Sequence, residues 1–271
     1  MRPQTDILSL LYEEPGPKTK RFIRIGSIAS VFLFVLIAVL VVRQFWVTGQ
    51  LSARYWAFFA KWTTCRFILQ GVLGTVRATF SAILICLGIG FVMMFSRVRG
   101  GLVAQKISFV LTEFTRGVPT LLFIYFFFFV IPLLGFKLSA FWKITLPVAI
   151  SASGATAEVL RSGVNAVSKG QREAALSLGF SENRTFFKII FPQGFRFVIP
   201  SLISELVIIL KDTTFAYIVS YNDLMQNAMV LISNHDAMLS VYLVAAIIYI
   251  IINYLLHRLS LFLAKQIGGS K

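Results

Sequence analysis

The chain has 271 residues, of which 57% are hydrophobic and 14% charged, and its mean hydropathy is +0.81. This composition excludes a soluble domain of ordinary make-up, because so much apolar surface needs lipid around it. A formal charge of +15 would point to nucleic acid in a water-soluble protein, but here Lys and Arg fall between apolar runs, as in cytoplasmic loops.

A bilayer-crossing helix takes about 20 apolar residues. Residues 25–42, "IGSIASVFLFVLIAVLVV", follow the basic positions Lys18, Lys20, Arg21 and Arg24. That order resembles a signal peptide, yet "RQFWV" follows Val42 where a small-residue cleavage site would stand. The run therefore reads as a retained first helix after a cytoplasmic tail over 1–24. Residues 43–66 set Trp46, Trp56 and Trp62 among basic side chains, which reads as an outer-surface aromatic belt at the interface. Cys65 and Cys86 would lie roughly 30 Å apart on one helix, and they match no metal spacing.

Further spans are expected over 75–95, 118–135, 142–160, 200–219 and 239–262, giving an all-α membrane protein of about six transmembrane helices. Arg77, near the start of the second, can snorkel to the interface. Arg116, Gly117 and Pro119 mark a break before the third, since proline fixes φ and removes a donor. "YFFFFVIP" (125–132) reads as lipid-facing or packed aromatic bulk, with an apolar gate as the alternative. With the amino terminus inside, Arg97, Arg99, Lys106, Arg161, Lys169, Arg172, Arg184, Lys188 and Arg196 fall in cytoplasmic loops. The carboxyl end, with a tail over 263–271, is then also inside.

One polar stretch stands out among the apolar runs: "EAALSLGFSENRTFFKIIFP", residues 173–192. Glu173 through Leu178 are good helix formers, Gly179 suits a helix C-cap, and Ser181 can cap a second short helix that Pro192 would stop. Ala174 and Ala175 leave room for a partner's surface, and Phe186, Phe187, Ile189, Ile190 and Phe191 form an apolar anchor. Periodicity alone also fits an amphipathic linker packed on its own chain.

Ionisable groups within apolar spans are costly, by about 2.5 to 3.5 kcal/mol each on insertion scales, so they face a cavity or a partner. Glu205, Lys211, Asp212, Thr213 and Thr214 lie along the fifth span. At about 100° per residue, Glu205 and Asp212 fall within roughly 20° of one another, with Lys211 a step away. The stripe reads either as lining a substrate path that binds a zwitterion's charges, or as a Lys211 and Asp212 pair that fixes packing. Glu158 and Arg161, spaced i,i+3 in the fourth span, read as a structural ion pair.

No Gly-Lys dipeptide occurs, so the chain has no P-loop of the GxxxxGK[ST] type. His235 and His257 stand without a HExxH or comparable cluster. An enzyme reading therefore has no reactive constellation to rest on.

The run Glu173, Ala174, Ala175, then Gly179, Ile189, Phe191 and Pro192 resembles the EAA loop of ABC importer permeases, with Phe191 where Leu is usual. "TEFTRGVPTLLFIYF" (112–126), "GATAEVLRSGVNAVSKGQREAALSLGF" (154–180) and "PSLISELVIILKDTTFAYIVSYNDL" (200–224) resemble the polar amino-acid uptake subfamily, over about 68–262. The amino-terminal "LYEEPGPKTKRF" looks like the start of glutamate permeases from Gram-positive bacteria.

The resemblance implies a type I, MetI-like permease domain over 67–262, preceded by an extra first helix and outer segment over 25–66. It implies a second permease subunit, either a copy or a sister chain, and separate ATPase subunits that carry ATP and Mg. It further implies an extracellular binding protein that delivers the amino acid, and residence in the bacterial cell membrane. Glu173, Ala174, Ala175 and Gly179 would then belong to a coupling helix seated in an ATPase groove. An ion-gradient-driven secondary transporter or channel would share the spans and buried charges but needs no such loop, and the two halves of the chain show no convincing repeat.

Overall fold

The computed structural model describes residues 16–267, and every regular element within them is helical. In chain order these are α1 (Pro17–Val47), α2 (Trp62–Arg99), α3 (Leu102–Gly117), α4 (Thr120–Leu133), α5 (Ala140–Ala166) and α6 (Lys169–Ser177). They are followed by α7 (Glu182–Val219), α8 (Leu224–His235) and α9 (Met238–Ile267). The chain divides into two units, Met1–Trp56 and Ala57–Lys271. Of the expected terminal tails, 17–24 and 263–267 are helical, and the remaining positions except Gly16 lie outside the described residues.

In the first unit, α1 has 31 residues and none of them is buried. Pro17 stands in its first turn, where the missing N–H would have had no intrahelical partner. Phe22, Val31, Phe34 and Leu40 are all exposed, which fits a helix surrounded by lipid.

In the second unit, α5 organises the bundle. It packs against α2, α3, α4 and α7. Its Thr145, Ser153, Gly154 and Thr156 are buried, so it needs no apolar face toward lipid. By length and apolar composition four helices qualify as membrane spans, or five when the bent pair α3 and α4 is taken as one. α5, about 40 Å long at ~1.5 Å per residue, has the length for the crossing expected over 142–160 but is not among the helices apolar enough to qualify.

Within lipid the force joining helices is close packing rather than exclusion of water. Small residues accordingly line the contacts: Ala78, Ala82, Ala149 and Ala152 share one core cluster with Cys86, Ile144, Val148 and Ile209. A second cluster joins Met93, Met94, Ala157, Leu160, Val198 and Leu202 to Phe186 and Ile190. α5 and α7 cross at Gly163 and Gly194. A Cβ added at Gly194 would meet the Gly163 carbonyl oxygen at 2.7 Å, and one added at Gly163 would strike the Gly194 carbonyl.

The structure differs from the sequence expectation at the second and fifth spans and agrees at the third. α2 begins at Trp62 rather than 75; Arg66 lies on its exposed side, and the Arg77 guanidinium sits 5.2 Å from the Phe141 ring centre. The third span is bent by 97° where Val118 and Pro119 separate α3 from α4, which matches the expected break. The fifth is much longer than 200–219, because Pro192 does not stop the helix that starts at Glu182.

The reason lies in a wider turn just before the proline. Phe186–Ile190 forms one π-helical turn, and Pro192 follows in the first turn of the resumed α-helix. The same register recurs in α4, where Phe126–Val130 is π-helical and Pro132 follows. A π turn changes the hydrogen-bond register, so the proline's missing donor and its ring are accommodated without breaking the helix.

Candidate functional site

The polar loop folds as a helix, a tight turn and a helix. α6 ends in a complete Schellman motif: Phe180 N–H donates to the Ala175 carbonyl at 3.1 Å, and Gly179 N–H donates to the Leu176 carbonyl at 3.0 Å. Gly179 has φ +79, the left-handed region where glycine carries no Cβ penalty. Ser181 then caps α7, its hydroxyl accepting from Arg184 N–H at 3.4 Å.

The four residues assigned to coupling do not share one environment. Ala175 is buried, 2% exposed, and packs on its own chain, so it offers nothing to a partner. Glu173, Ala174 and Gly179 are exposed. Beside them Leu178, just past the end of α6, is 78% exposed, and Leu176 on the helix is also exposed. Phe186 and Ile190 enter the second core cluster as the anchor requires, while Phe187 stays on the surface and stacks 5.5 Å from Phe95.

What holds the loop in place is a carboxylate that the sequence reading passed over. Glu182 takes a forked pair of hydrogen bonds from Arg172 of α6, at 2.6 and 3.2 Å, and another from Arg99 at the end of α2, at 3.1 Å. Arg99 also donates to Asn183 at 3.2 Å. Glu182 thus ties α6, α2 and the first turn of α7 together. Its signal in the sequence was an acid directly after a capping serine, within a loop rich in arginine.

Glu158 and Arg161 pair as expected, with Arg161 donating from Nε at 3.0 Å and Nη2 at 2.7 Å. A third member was missed. Arg97 of α2 donates to the other Glu158 oxygen at 2.9 Å and lies 4.7 Å from the Phe109 ring centre. Sixty-one positions of sequence separate Arg97 from Glu158, and no local spacing encodes that contact.

At the far end of α7 the polar stripe divides. Asp212 is partly buried and accepts from the Thr120 hydroxyl at 2.8 Å; Ser151 lies 2.9 Å from the same hydroxyl, giving a Ser151 to Thr120 to Asp212 relay. Lys211 is exposed and forms no ion pair among the described residues, so the Lys211 and Asp212 pairing is not found. Glu205 is partly buried on the same helix.

After Asp212 the α-helix tightens to a 3-10 helix over Thr213–Val219, which changes the angular step per residue. Thr213 lies on the same inner face as buried Ile209 and Leu210, four and three positions earlier, and meets the Thr79 hydroxyl at 3.1 Å; the Thr214 hydroxyl donates back to the Lys211 carbonyl at 2.6 Å. The structure leaves Lys211 as the unpaired cation of the stripe and commits Thr213 to packing.

Comparison with known proteins accords with this arrangement. The family described as binding-protein-dependent transport system inner membrane component matches residues 87–269. A probable glutamine ABC transporter permease protein of Bacillus subtilis is 32% identical over 191 residues, covering 69% of this chain and 88% of that protein. A glutamate transport system permease protein of Corynebacterium glutamicum is 30% identical over 229 residues, covering 82% and 83%. Among solved structures, a crystal structure of an amino acid ABC transporter with histidines superposes with a TM-score of 0.71 at 24% identity, covering 77% of this chain and 98% of that one. With its helical bundle, its loop between α5 and α7 and a match over most of its length, the chain belongs to the inner membrane components of binding-protein-dependent transport systems, among the permeases of polar amino-acid ABC importers.

Proposed function

We propose that this chain forms half of the translocation path of an ATP-driven glutamate importer and is driven through residues 173–192 by separate ATPase subunits that bind ATP and Mg. A second permease, a sister chain, completes the path, and an extracellular binding protein delivers the substrate. Both chain termini and the loop face the cytoplasm, as the distribution of basic residues favours.

The observation that carries this reading is mechanical. α6 presents Leu178 and an exposed polar face at the end of the bundle, and Glu182 clamps it to the foot of α7. α7 runs from Glu182, through one π turn at Phe186–Ile190, to the turn that holds Lys211 and Asp212. A push on α6 is thereby delivered to the polar stripe. Glutamate is favoured over other amino acids by the relative from Corynebacterium glutamicum and by the unpaired cation at Lys211, which suits a second carboxylate.

Proteoliposomes holding the whole complex test the mechanism. Glutamate uptake is expected to require ATP inside and the binding protein outside; uptake driven by an ion gradient without ATP would replace this reading with a secondary carrier. Lys211→Ala is expected to reduce glutamate uptake by at least tenfold while membrane abundance is unchanged, because the exposed side chain makes no hydrogen bond or ion pair among the described residues. Normal uptake in that variant would remove Lys211 from the path.

A further inference from the structure

At the loop end of the second unit, a cavity of about 490 Å³ opens between α2, α3 and α5, and nothing in the transport reading uses it. Its polar walls are Arg97, Lys106, Arg161, Gln105 and Asn165, with Phe109 beside them. Glu158 is the carboxylate that meets this group, and both of its oxygens are already taken, one by Arg97 and one by Arg161. Three cations against one anion leave the cavity positive. Lys106 makes no hydrogen bond or ion pair among the described residues, and Gln105 spends its amide N–H on the Gly100 carbonyl at 2.8 Å, leaving its oxygen to accept.

The walls change character toward lipid. Leu102 lines the cavity and is 78% exposed, and Val103, Ile107 and Val110 continue an exposed apolar row along α3. A cationic recess opening onto an apolar row suits an amphiphile better than a free anion. We infer that this cavity is a binding site for an anionic phospholipid, with the phosphodiester held by Lys106, Arg97 and Arg161 and the acyl chains lying along α3. Headgroup hydroxyls, as in a glycerol headgroup, would donate to Gln105 and Asn165. Basic recesses between membrane helices hold lipid headgroups by this combination of charge and depth.

The site is independent of which amino acid is carried. Arg97 joins it to the foot of the bundle through Glu158, one residue pair away from the Arg99 and Glu182 clamp, so an occupied cavity would stiffen the end of α2 against α5.

The test is native mass spectrometry of the purified full-length chain, with its co-purifying subunits, in detergent containing equal phosphatidylglycerol and phosphatidylcholine. Phosphatidylglycerol is expected to be retained in preference. Lys106→Ala should weaken that retention roughly fivefold and Lys106→Glu roughly tenfold or more, while Lys137→Ala leaves it unchanged. Because Lys106 is exposed and unpaired, these variants leave the fold intact, which a thermal melt checks. Equal retention of the two lipids, or equal retention by wild type and Lys106→Ala, would overturn the site. Displacement of the lipid by millimolar inorganic phosphate would also overturn it, by making the cavity a free-anion site.

Discussion

Gly179→Asp is expected to leave the chain in the membrane at normal abundance and to lower ATP-driven uptake by at least tenfold. The site has two separable properties. Its φ of +79 closes the Schellman turn, and an added Cβ would meet no atom of this chain within 4 Å. A substitution there is therefore harmful through backbone strain, about 1 to 2 kcal/mol for a residue unsuited to the left-handed region, or through what docks on the loop from outside. Asn tolerates that region and adds no charge. Gly179→Asn is accordingly expected to keep most of the transport that Gly179→Asp loses, with ATP hydrolysis persisting in the Asp variant but no longer tied to uptake. Full ATP-driven transport by Gly179→Asp would count heavily against the coupling role. Equal loss in both variants would assign the position to backbone geometry alone.

Gly163→Val acts on the fold rather than on the drive. Its first new carbon would collide with the Gly194 carbonyl, a backbone atom that cannot rotate away as a side chain would. Helices α5 and α7 would have to separate at their crossing, opening the cluster of Leu160, Val164, Val198 and Phe186 beneath the loop. Overpacking of this kind costs about 1 to 3 kcal/mol, which lowers the Tm of a chain of this size by roughly 2 to 12 °C. The measurement is a thermal melt of the detergent-purified chain, together with its abundance in membranes. An unchanged Tm would mean that the crossing is looser than the structure shows. Gly179→Asp and Gly163→Val thus separate failure of the drive from failure of the fold.

The two variants also mark how far local sequence reached. Gly179 was legible because helix formers, then Gly, then a capping Ser form a local code: each residue acts on backbone within five positions. The break at Pro119 was legible for the same reason. Pro192 was misread, because a proline ends a helix only if the preceding turn keeps its α register, and the π turn over Phe186–Ile190 does not.

The polar stripe shows the same divide. Angular spacing placed Glu205 near Asp212, but Thr213 belongs to the inner face of Ile209 and Leu210 and meets Thr79, 134 positions away. Thr120 and Ser151, which complete the relay to Asp212, sit on other helices and carry no local mark. Glu182 and Arg97 were missed likewise: their roles exist only once α2, α5 and α6 are brought side by side.

By itself the sequence determined that this is a helical membrane chain, which apolar run length dictates, and that one polar turn interrupts it, which capping chemistry dictates. The tertiary structure decided which of its charges pair between helices. Lys211 has no ion pair among the described residues while Arg97, Arg99 and Arg172 are held, because such a pair depends on distances of a few ångströms between helices, and those are set by packing at crossings such as Gly163 and Gly194.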